Sequence, residues 1–177
     1  MRYLCLLRGI NVGGKARVEM ARLRELFTEM GFTDVLTYIN SGNVIFSSEE
    51  IPNVSNIQQR FVAVFGFDIP TLIIGIKQFA QIAAAIPETW ENNYTDQKSD
   101  VVFLFPEIDS PDILIKIGYR SDVETIIYTP GALLCNVPRK NQSKSSLMKV
   151  IGTPLYASMT VRNVTTVRKL AALARQQ

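Results

Sequence analysis

The sequence predicts an α+β fold of two tandem ferredoxin-like halves, each a βαββαβ unit with an antiparallel sheet. First, strand-like and helix-like segments follow the order β-α-β-β-α-β over residues 1–88. Second, a similar order returns over residues 89–177. Third, both halves contain a similar hairpin, LTYINSGNVIF and IIYTPGALLCN, each with a tyrosine before a glycine turn. The sequence therefore divides the chain into a first half, 1–88, and a second half, 89–177, which ends in a helix.

The segments of the first half are identified by hydrophobic period and by stop signals. The continuous apolar run YLCLLR is typical of a strand that is buried on both faces or central in a sheet. Met20, Leu23, Phe27 and Met30 recur with the helical period, and Gly31 follows as a stop. The remaining segments are the strand DVLTYI, the turn NSG, the strand NVIFSS, the helix SNIQQRFVAVF and the strand IPTLIIGI.

The second half follows the same plan with shorter helices. DVVFLF is a strand, and SPDILIKIG is a short helix with Ser110 as its N-cap and Pro111 in its first turn. The later segments are the hairpin VETIIYTPGALLCNVP, the helix KSSLMKVI and the strand YASMTV. In the last helix, NVTTVRKLAALARQQ, we expect Arg168, Lys169 and Arg175 to face water.

The composition excludes several kinds of catalysis and predicts a cytoplasmic protein. Hydrophobic residues make up 47% of the chain, which is enough for a packed core. We expect no membrane partner, because no apolar run could span a bilayer and no signal-peptide cleavage pattern follows the N-terminus. With no histidine, no imidazole base or Ser-His-Asp triad can form. We predict that Cys5 and Cys135 are buried free thiols, and we expect neither a metal nor a cofactor.

The charges are unevenly distributed along the sequence. Residues 1–24 contain six basic residues and one acidic residue, and residues 25–124 contain five basic and fifteen acidic residues. Residues 125–177 contain eight basic residues and no acidic one. This pattern suits a surface that binds anions, and solubility with helix-end charges is the alternative interpretation.

The segment LRGINVGGKA resembles a phosphate-binding P-loop but departs from it at a critical position. From Gly9 it matches seven of the eight positions of G-x-x-x-x-G-K-[ST]. Ala16 stands where a hydroxyl residue normally holds Mg²⁺. The helical pattern begins only near Glu19 or Met20, so we expect the helix N-terminus not to contact the same anion. The sequence therefore predicts that this is not a P-loop NTPase.

The glycine loop is instead a candidate anion-binding site. Arg8 and Lys15 supply two cations, Asn11 supplies an amide, and Gly13 and Gly14 supply backbone N–H groups. The alternative is a turn that needs its glycines only for positive φ angles.

The hairpin turn NSGN and the segment TVRN add further candidate ligand-binding residues. The first and third strands of a split βαβ unit are antiparallel neighbours, so the glycine loop should lie beside Ser41 and Asn43. Arg162 and Asn163 complete the candidate set, and Asn163 or Thr160 is expected to cap the last helix.

Two other segments leave their roles open. Trp90 and Tyr94 lie in a polar loop, where they could stack on a base or close over an edge of the core. The basic run PRKNQSKSS is either a phosphate-binding loop or, as we favour, a solvated connector.

These motifs resemble those of the bacterial DUF1697 family, a domain of unknown function. The resemblance covers essentially the whole chain and rests on LLRGINVGGK, FTDVLTYINSGNVIF and TVRNVTTVRKLAAL. It implies two ferredoxin-like halves and implies no activity. The family often has an aromatic residue after the Arg-Asn pair, where this chain has Val164. The family's signature positions correspond here to Arg8, Gly9, Asn11, Gly13, Gly14, Lys15, Ser41, Gly42, Asn43, Arg162, Asn163 and Thr166.

Three functions remain open at this stage, and the catalytic residues, if any, are unknown. We favour a protein that binds a phosphorylated partner, either a small molecule such as a nucleotide or the backbone of a nucleic acid. The second is an enzyme that uses a carboxylate or Tyr38 as its acid or base. The third is a protein-interaction module. The sequence does not decide whether the protein is an enzyme or what its oligomeric state is.

Overall fold

The computed structural model describes residues 1–14 and 16–176, which form an α+β protein with two four-stranded antiparallel sheets. The chain divides into two compact units. The first unit comprises Met1–Phe79 together with the C-terminal residues from Ala174, and the second comprises Ala80–Leu173.

The first unit contains the predicted succession of strands and helices. Its sheet has the order β2-β3-β1-β4, so β1 lies between its antiparallel neighbours β3 and β4. Its elements are β1 (Arg2–Leu7), α1 (Met20–Glu29), β2 (Thr33–Tyr38), β3 (Asn43–Ser47), α2 (Val54–Phe65) and β4 (Thr71–Gly75). Helix α3 (Ile76–Ala84) follows β4 directly.

The second unit has the sheet order β6-β7-β5-β8, the same order as the first with its strands renumbered. Its elements are β5 (Gln97–Leu104), α4 (Ile113–Lys116), β6 (Thr125–Thr129), β7 (Ala132–Pro138), α5 (Ser146–Val150), α6 (Pro154–Ala157), β8 (Met159–Asn163) and α7 (Val164–Ala174). Two 3-10 segments lie between them, at Pro106–Ile108 and Arg139–Lys144. The two sheet orders fit the two ferredoxin-like halves that the sequence predicts.

Strand β1 is buried on both faces, as its unbroken apolar run predicts. Tyr3, Cys5 and Leu7 belong to the cluster beneath α1 and α2, and Leu4 and Leu6 on the other face are also fully buried. The same cluster contains stacked and edge-on aromatic rings of Tyr3, Phe27, Phe32, Phe46 and Phe61. Large apolar side chains packed around a central strand fix the position of the strand's C-terminal end.

Two backbone hydrogen bonds join the end of β1 to the segments on either side of it. The Leu7 N–H donates to the Gly42 carbonyl at 2.8 Å, and the Arg8 N–H donates to the Pro70 carbonyl at 3.0 Å. Gly42 has a φ of +76°, and an added Cβ would lie 2.6 Å from Leu7 Cβ and 2.8 Å from Ile10 Cδ1. Only glycine therefore fits this turn without displacing the strand end.

The second unit repeats this pair of bonds at the end of β5. The Leu104 N–H donates to the Gly131 carbonyl at 2.9 Å, and the Phe105 N–H donates to the Ser158 carbonyl at 3.0 Å. The central strand of each sheet is thus tied both to its hairpin turn and to the segment just before its last strand.

Three sequence predictions in the second unit are wrong. Ser110 does not cap the helix in SPDILIKIG, because that helix begins only at Ile113, with Asp112 as its N-cap residue and no capping side chain. The segment YASMTV is not one strand, because Thr153 caps a short helix that begins at Pro154 and β8 starts only at Met159. Arg168 does not simply face water. Its guanidinium donates to the carbonyls of Trp90 at 2.8 Å and Pro87 at 2.9 Å, because the loop after α3 passes beside α7.

Replacing Gly42 with alanine tests the constraint at the end of β1. We expect Gly42→Ala to lower the free energy of unfolding by about 3 kcal/mol, since it adds a steric clash to a left-handed backbone. Gly66→Ala is the matched control, because Gly66 has a φ of +82° but no atom within 4 Å of its added Cβ. It should cost about 1 kcal/mol. Equal losses in urea unfolding would contradict this account of Gly42.

Candidate functional site

The glycine loop and the hairpin turn lie together, as the antiparallel pairing of β1 and β3 predicts. We call residues 8–14, 16–19 and 40–43 the glycine-loop corner. Its two parts are joined by the Leu7–Gly42 bond and by a bond from Asn11 Nδ2 to the Asn40 carbonyl at 2.9 Å. The corner is therefore one structural feature.

Asn11 holds the base of the glycine loop closed. Its Nδ2 also donates to the Val18 carbonyl at 2.9 Å, and its Oδ1 accepts from the Val18 N–H at 2.8 Å. Its backbone N–H donates to the Ala16 carbonyl at 3.0 Å, and its φ of +56° lies in the left-handed region that asparagine tolerates. Both side-chain N–H groups are used within the protein, so Asn11 positions the loop.

Asn43 and Ser41 shape the hairpin turn from within. Asn43 is fully buried, and its Nδ2 donates to the Tyr38 carbonyl at 3.0 Å and to Ser41 Oγ at 2.9 Å. These bonds satisfy a buried amide in a tight turn. Tyr38, the residue considered above as an acid or base, is half-buried.

A cavity of about 640 Å³ opens at the corner beside the start of α1. Helix α1 has no side-chain cap. Its first intrahelical hydrogen bond is donated by the Leu23 N–H to the Glu19 carbonyl at 2.9 Å. Met20 and Ala21 of this uncapped turn line the cavity, so the helix N-terminus and the glycine loop share one space. The full lining is Asn11, Gly14, Arg17, Val18, Glu19, Met20, Ala21 and Asn40.

The charged side chains of the cavity are Arg17 and Glu19, both exposed. Among the residues that the structure describes, none forms a hydrogen bond or ion pair with the Arg17 guanidinium. Arg8 is half-buried where β1 ends. Lys15, a predicted ligand residue, lies outside the described residues.

The loop geometry agrees with the prediction that this is not a P-loop. In a P-loop the residue after the lysine leads directly into a helix. Here Ala16 has a φ of +51°, and three residues separate it from the first residue of α1. The late-starting helix nevertheless presents its first turn to the cavity beside the glycine loop, which leaves open the expectation that helix and loop do not contact the same anion.

The last two predicted ligand residues, Arg162 and Asn163, belong to the second unit. Arg162 is buried in β8, and its Nη1 donates to Thr160 Oγ1 at 3.0 Å and to the Val161 carbonyl at 2.9 Å. Asn163 Oδ1 accepts from the Thr166 N–H at 2.8 Å, which confirms the predicted cap of α7. These bonds give both residues structural roles in their own unit.

Arg17, Glu19 and the first turn of α1 line the cavity although no sequence motif predicted them as part of a site. One signal was available in the sequence: Glu19 is a poor N-cap residue, so a helix that begins at Met20 leaves its first N–H groups without a capping side chain. The position of Arg17 depends on the left-handed residues before it, which the sequence does not specify.

The comparisons with known proteins identify the family. A family model described as "Protein of unknown function (DUF1697)" matches residues 1–133. The chain belongs to the DUF1697 family. The matched region contains the whole glycine-loop corner, whereas Arg162 and Asn163 lie beyond it.

A solved structure resembles this DUF1697 protein over nearly its whole length. It is described as the conserved bacterial protein SP0830 from Streptococcus pneumoniae. The two chains are 28% identical, the alignment covers 98% of each chain, and the TM-score is 0.78. No curated protein matches the sequence at a significant level.

Both cysteines of the described chain are buried free thiols. Burial, with smaller contributions from the Glu124 and Asp100 carboxylates, raises the pKa of the Cys135 thiol well above its ordinary value. Cys5 is also a buried free thiol, as predicted.

Within residues 1–14 and 16–176, no cluster of three or more metal-ligating side chains is present. In the same residues, no helix has the length and hydropathy that a membrane crossing requires.

Removing the Asn11 side chain should open the glycine loop. We expect Asn11→Gly, which keeps the left-handed backbone accessible, to lower the free energy of unfolding by about 2 kcal/mol through the loss of three hydrogen bonds. Asn40→Ala is the control, because Asn40 contributes only its backbone carbonyl to this contact. It should change stability by less than about 0.5 kcal/mol. A larger loss for Asn40→Ala in urea unfolding would contradict this role of Asn11.

Both thiols should be inert in the native protein. Both thiols are buried, which keeps disulfide reagents away from their sulfur atoms. At Cys135 the raised pKa also reduces the amount of thiolate, the form that reacts. With 5,5′-dithiobis(2-nitrobenzoate), we expect no reaction of Cys5 or Cys135 in the native chain and full reaction of both in urea. A rapidly reacting thiol in the native state would contradict the buried positions of both cysteines.

Proposed function

We propose that this protein binds a phosphorylated ligand at the glycine-loop corner. The carrying observation is that Gly14, Arg17 and the uncapped first turn of α1 line one cavity of about 640 Å³. An uncapped helix N-terminus attracts anions through its free N–H groups and its partial positive charge. An arginine can add bidentate hydrogen bonds to phosphate oxygens.

The proposed ligand residues fall into two groups. Backbone N–H groups of Gly13, Gly14 and the α1 first turn, with the side chain of Arg17, contact the anion. Arg8 and Lys15 strengthen the positive field of the loop. Asn11, Ser41 and Asn43 hold the loop and turn in place, and the proposal needs no contact from Arg162 or Asn163.

Glu19 limits the strength of binding. Its carboxylate lines the same cavity as Arg17 and therefore repels an anion. A site with one opposing carboxylate suits a ligand that is bound and released, such as a nucleotide or another small phosphorylated molecule. The backbone of a nucleic acid presents the same phosphate chemistry, and we propose hydrolysis of neither, because Ala16 offers no hydroxyl for Mg²⁺.

We also propose that the two sheets are tandem ferredoxin-like repeats. Support comes from the matching sheet orders and from the equivalent bonds Leu7–Gly42 and Leu104–Gly131. In this proposal the glycine loop is an addition to the first repeat.

We further propose a cytoplasmic location, since free buried thiols suit a reducing compartment.

Charge variants of the cavity test the proposed function. We expect Arg17→Ala to weaken binding of pyrophosphate or ATP about tenfold, through the loss of a charge-assisted hydrogen bond. Glu19→Gln should strengthen binding about threefold, because it removes a repelling charge. Isothermal titration calorimetry at low salt measures both changes.

The matched control is Arg24→Ala, which removes the same charge from an exposed position of α1 outside this cavity. It should leave the affinity nearly unchanged. If Arg17→Ala and Arg24→Ala weaken binding equally, only net charge matters and the proposed site is wrong. If no phosphorylated compound stabilises the wild-type protein, the proposed function is wrong.

A further inference from the structure

A fully exposed aromatic side chain stands at the tip of the loop that precedes β5. Tyr94 is 98% exposed, whereas nearby Trp90 is buried. The sequence left open whether these two residues stack on a base or close over the core. The Trp90 side chain closes over the core, whereas the Tyr94 side chain contributes no apolar area to it.

The turn that carries Tyr94 is held firmly. Asn93 Oδ1 accepts from the backbone N–H groups of Asp96 at 2.8 Å and Gln97 at 3.1 Å. The Asn93 N–H donates to the Gln97 carbonyl at 3.1 Å. The ring is therefore presented on a pre-organised turn, which lowers the entropic cost of binding through it.

Arg139 ties this turn to the basic segment that follows β7. Its Nε donates to the Asn93 carbonyl at 2.6 Å, and its Nη2 donates to Asn92 Oδ1 at 3.0 Å. Its guanidinium carbon lies 6.0 Å from the centroid of the Tyr94 ring. The arginine holds the loop by hydrogen bonds and lies near the aromatic ring, so the segment that we favoured as a plain connector supports the loop of Tyr94.

Two exposed lysines lie on the same basic segment as Arg139. Lys140 and Lys144 belong to the 3-10 turn Arg139–Lys144. In the described part of the chain, neither forms an ion pair. They are therefore available to an anionic partner on the segment that supports the Tyr94 loop.

We propose that Tyr94 is a stacking platform for an unpaired base of a single-stranded nucleic acid, with Lys140 and Lys144 contacting its phosphates. Exposed aromatic rings beside cations bind single strands by base stacking and phosphate contacts. A duplex hides its base faces, so a single strand is the better partner.

The surroundings of Tyr94 favour a nucleic acid over a protein partner. Apart from Tyr94, all residues of Glu91–Lys98 and of Arg139–Lys144 are polar or charged. A protein interface usually surrounds its aromatic anchors with further apolar groups and is depleted in lysine. One aromatic ring among amides and lysines instead suits one stacked base and its phosphates.

Two carboxylates restrict how the strand can lie. Glu91 and Asp96 belong to the Tyr94 loop, and each accepts a hydrogen bond from a neighbouring neutral side chain. The phosphates must therefore follow the side of Lys140 and Lys144. Removing the Asp96 charge should tighten binding, since it removes repulsion.

This platform belongs to the second unit and shares no residue with the glycine-loop corner, so it does not rest on the proposed function.

The test measures fluorescence anisotropy of labelled oligo(dT) and oligo(U) of about 12 nucleotides, and of a matched duplex, with the full chain. We expect binding of the single strands in preference to the duplex. We also expect it to weaken between about 50 and 200 mM salt.

The variants separate stacking from charge. Tyr94→Ala should weaken single-strand binding about tenfold, Tyr94→Phe should retain it, and Asp96→Asn should strengthen it. The double variant Lys140→Ala/Lys144→Ala should reduce the salt dependence, because fewer counterions are released. An unchanged melting temperature in each variant shows that the fold is intact, which the exposure of these side chains predicts.

Several outcomes would overturn the proposal. Equal affinity of Tyr94→Ala and wild type would exclude stacking at this ring. Loss of binding in Arg17→Ala together with retention in Tyr94→Ala would assign the strand to the glycine-loop corner. Absence of single-strand binding at about 50 mM salt would also overturn it and favour a protein as the occupant.

Discussion

The hydrogen bond from the Leu7 N–H to the Gly42 carbonyl is the contact on which the first unit's candidate site depends. It fixes the hairpin turn against the end of β1, and the two segments can approach this closely because Gly42 has no Cβ to collide with Leu7 and Ile10. Asn11 can then reach Asn40 and Val18 and close the glycine loop. The cavity beside α1 exists because these three segments are held together.

The second unit shows what such a corner looks like without a glycine loop. Its equivalent bond joins Leu104 to Gly131, and Asp109 Oδ1 accepts from the Gly131 N–H at 2.9 Å and from Tyr128 Oη at 3.0 Å. A carboxylate therefore closes this corner through hydrogen bonds within the protein. In the first unit the corresponding connection is longer, rich in left-handed residues and flanked by cations. The additional residues of the first corner are those to which the proposed function assigns a ligand.

The sequence predicted the order of the strands and the meeting of the glycine loop with the hairpin turn, because both follow from hydrophobic period and antiparallel pairing. It could not predict that the side chains of Asn11 and Asn43 would be used for internal bonds, since a local pattern does not reveal which carbonyls a fold brings near. Arg168 was misassigned for the same reason: its partners, the carbonyls of Pro87 and Trp90, are distant in sequence. The start of β8 was missed because Thr153 and Pro154 favour a helical turn within an apolar segment.

Amide chemical shifts test most directly whether the glycine-loop corner binds phosphate through its backbone N–H groups, as proposed. In a ¹H–¹⁵N correlation experiment with increasing pyrophosphate, we expect saturable downfield shifts at Gly13, Gly14, Met20 and Ala21, because a hydrogen bond to an anion deshields the donating proton. The amides of the second unit's corner, at Phe105 and Gly131, should not move. Shifts that do not saturate, or that are as large at Phe105 and Gly131 as at Gly13 and Gly14, would contradict the claim.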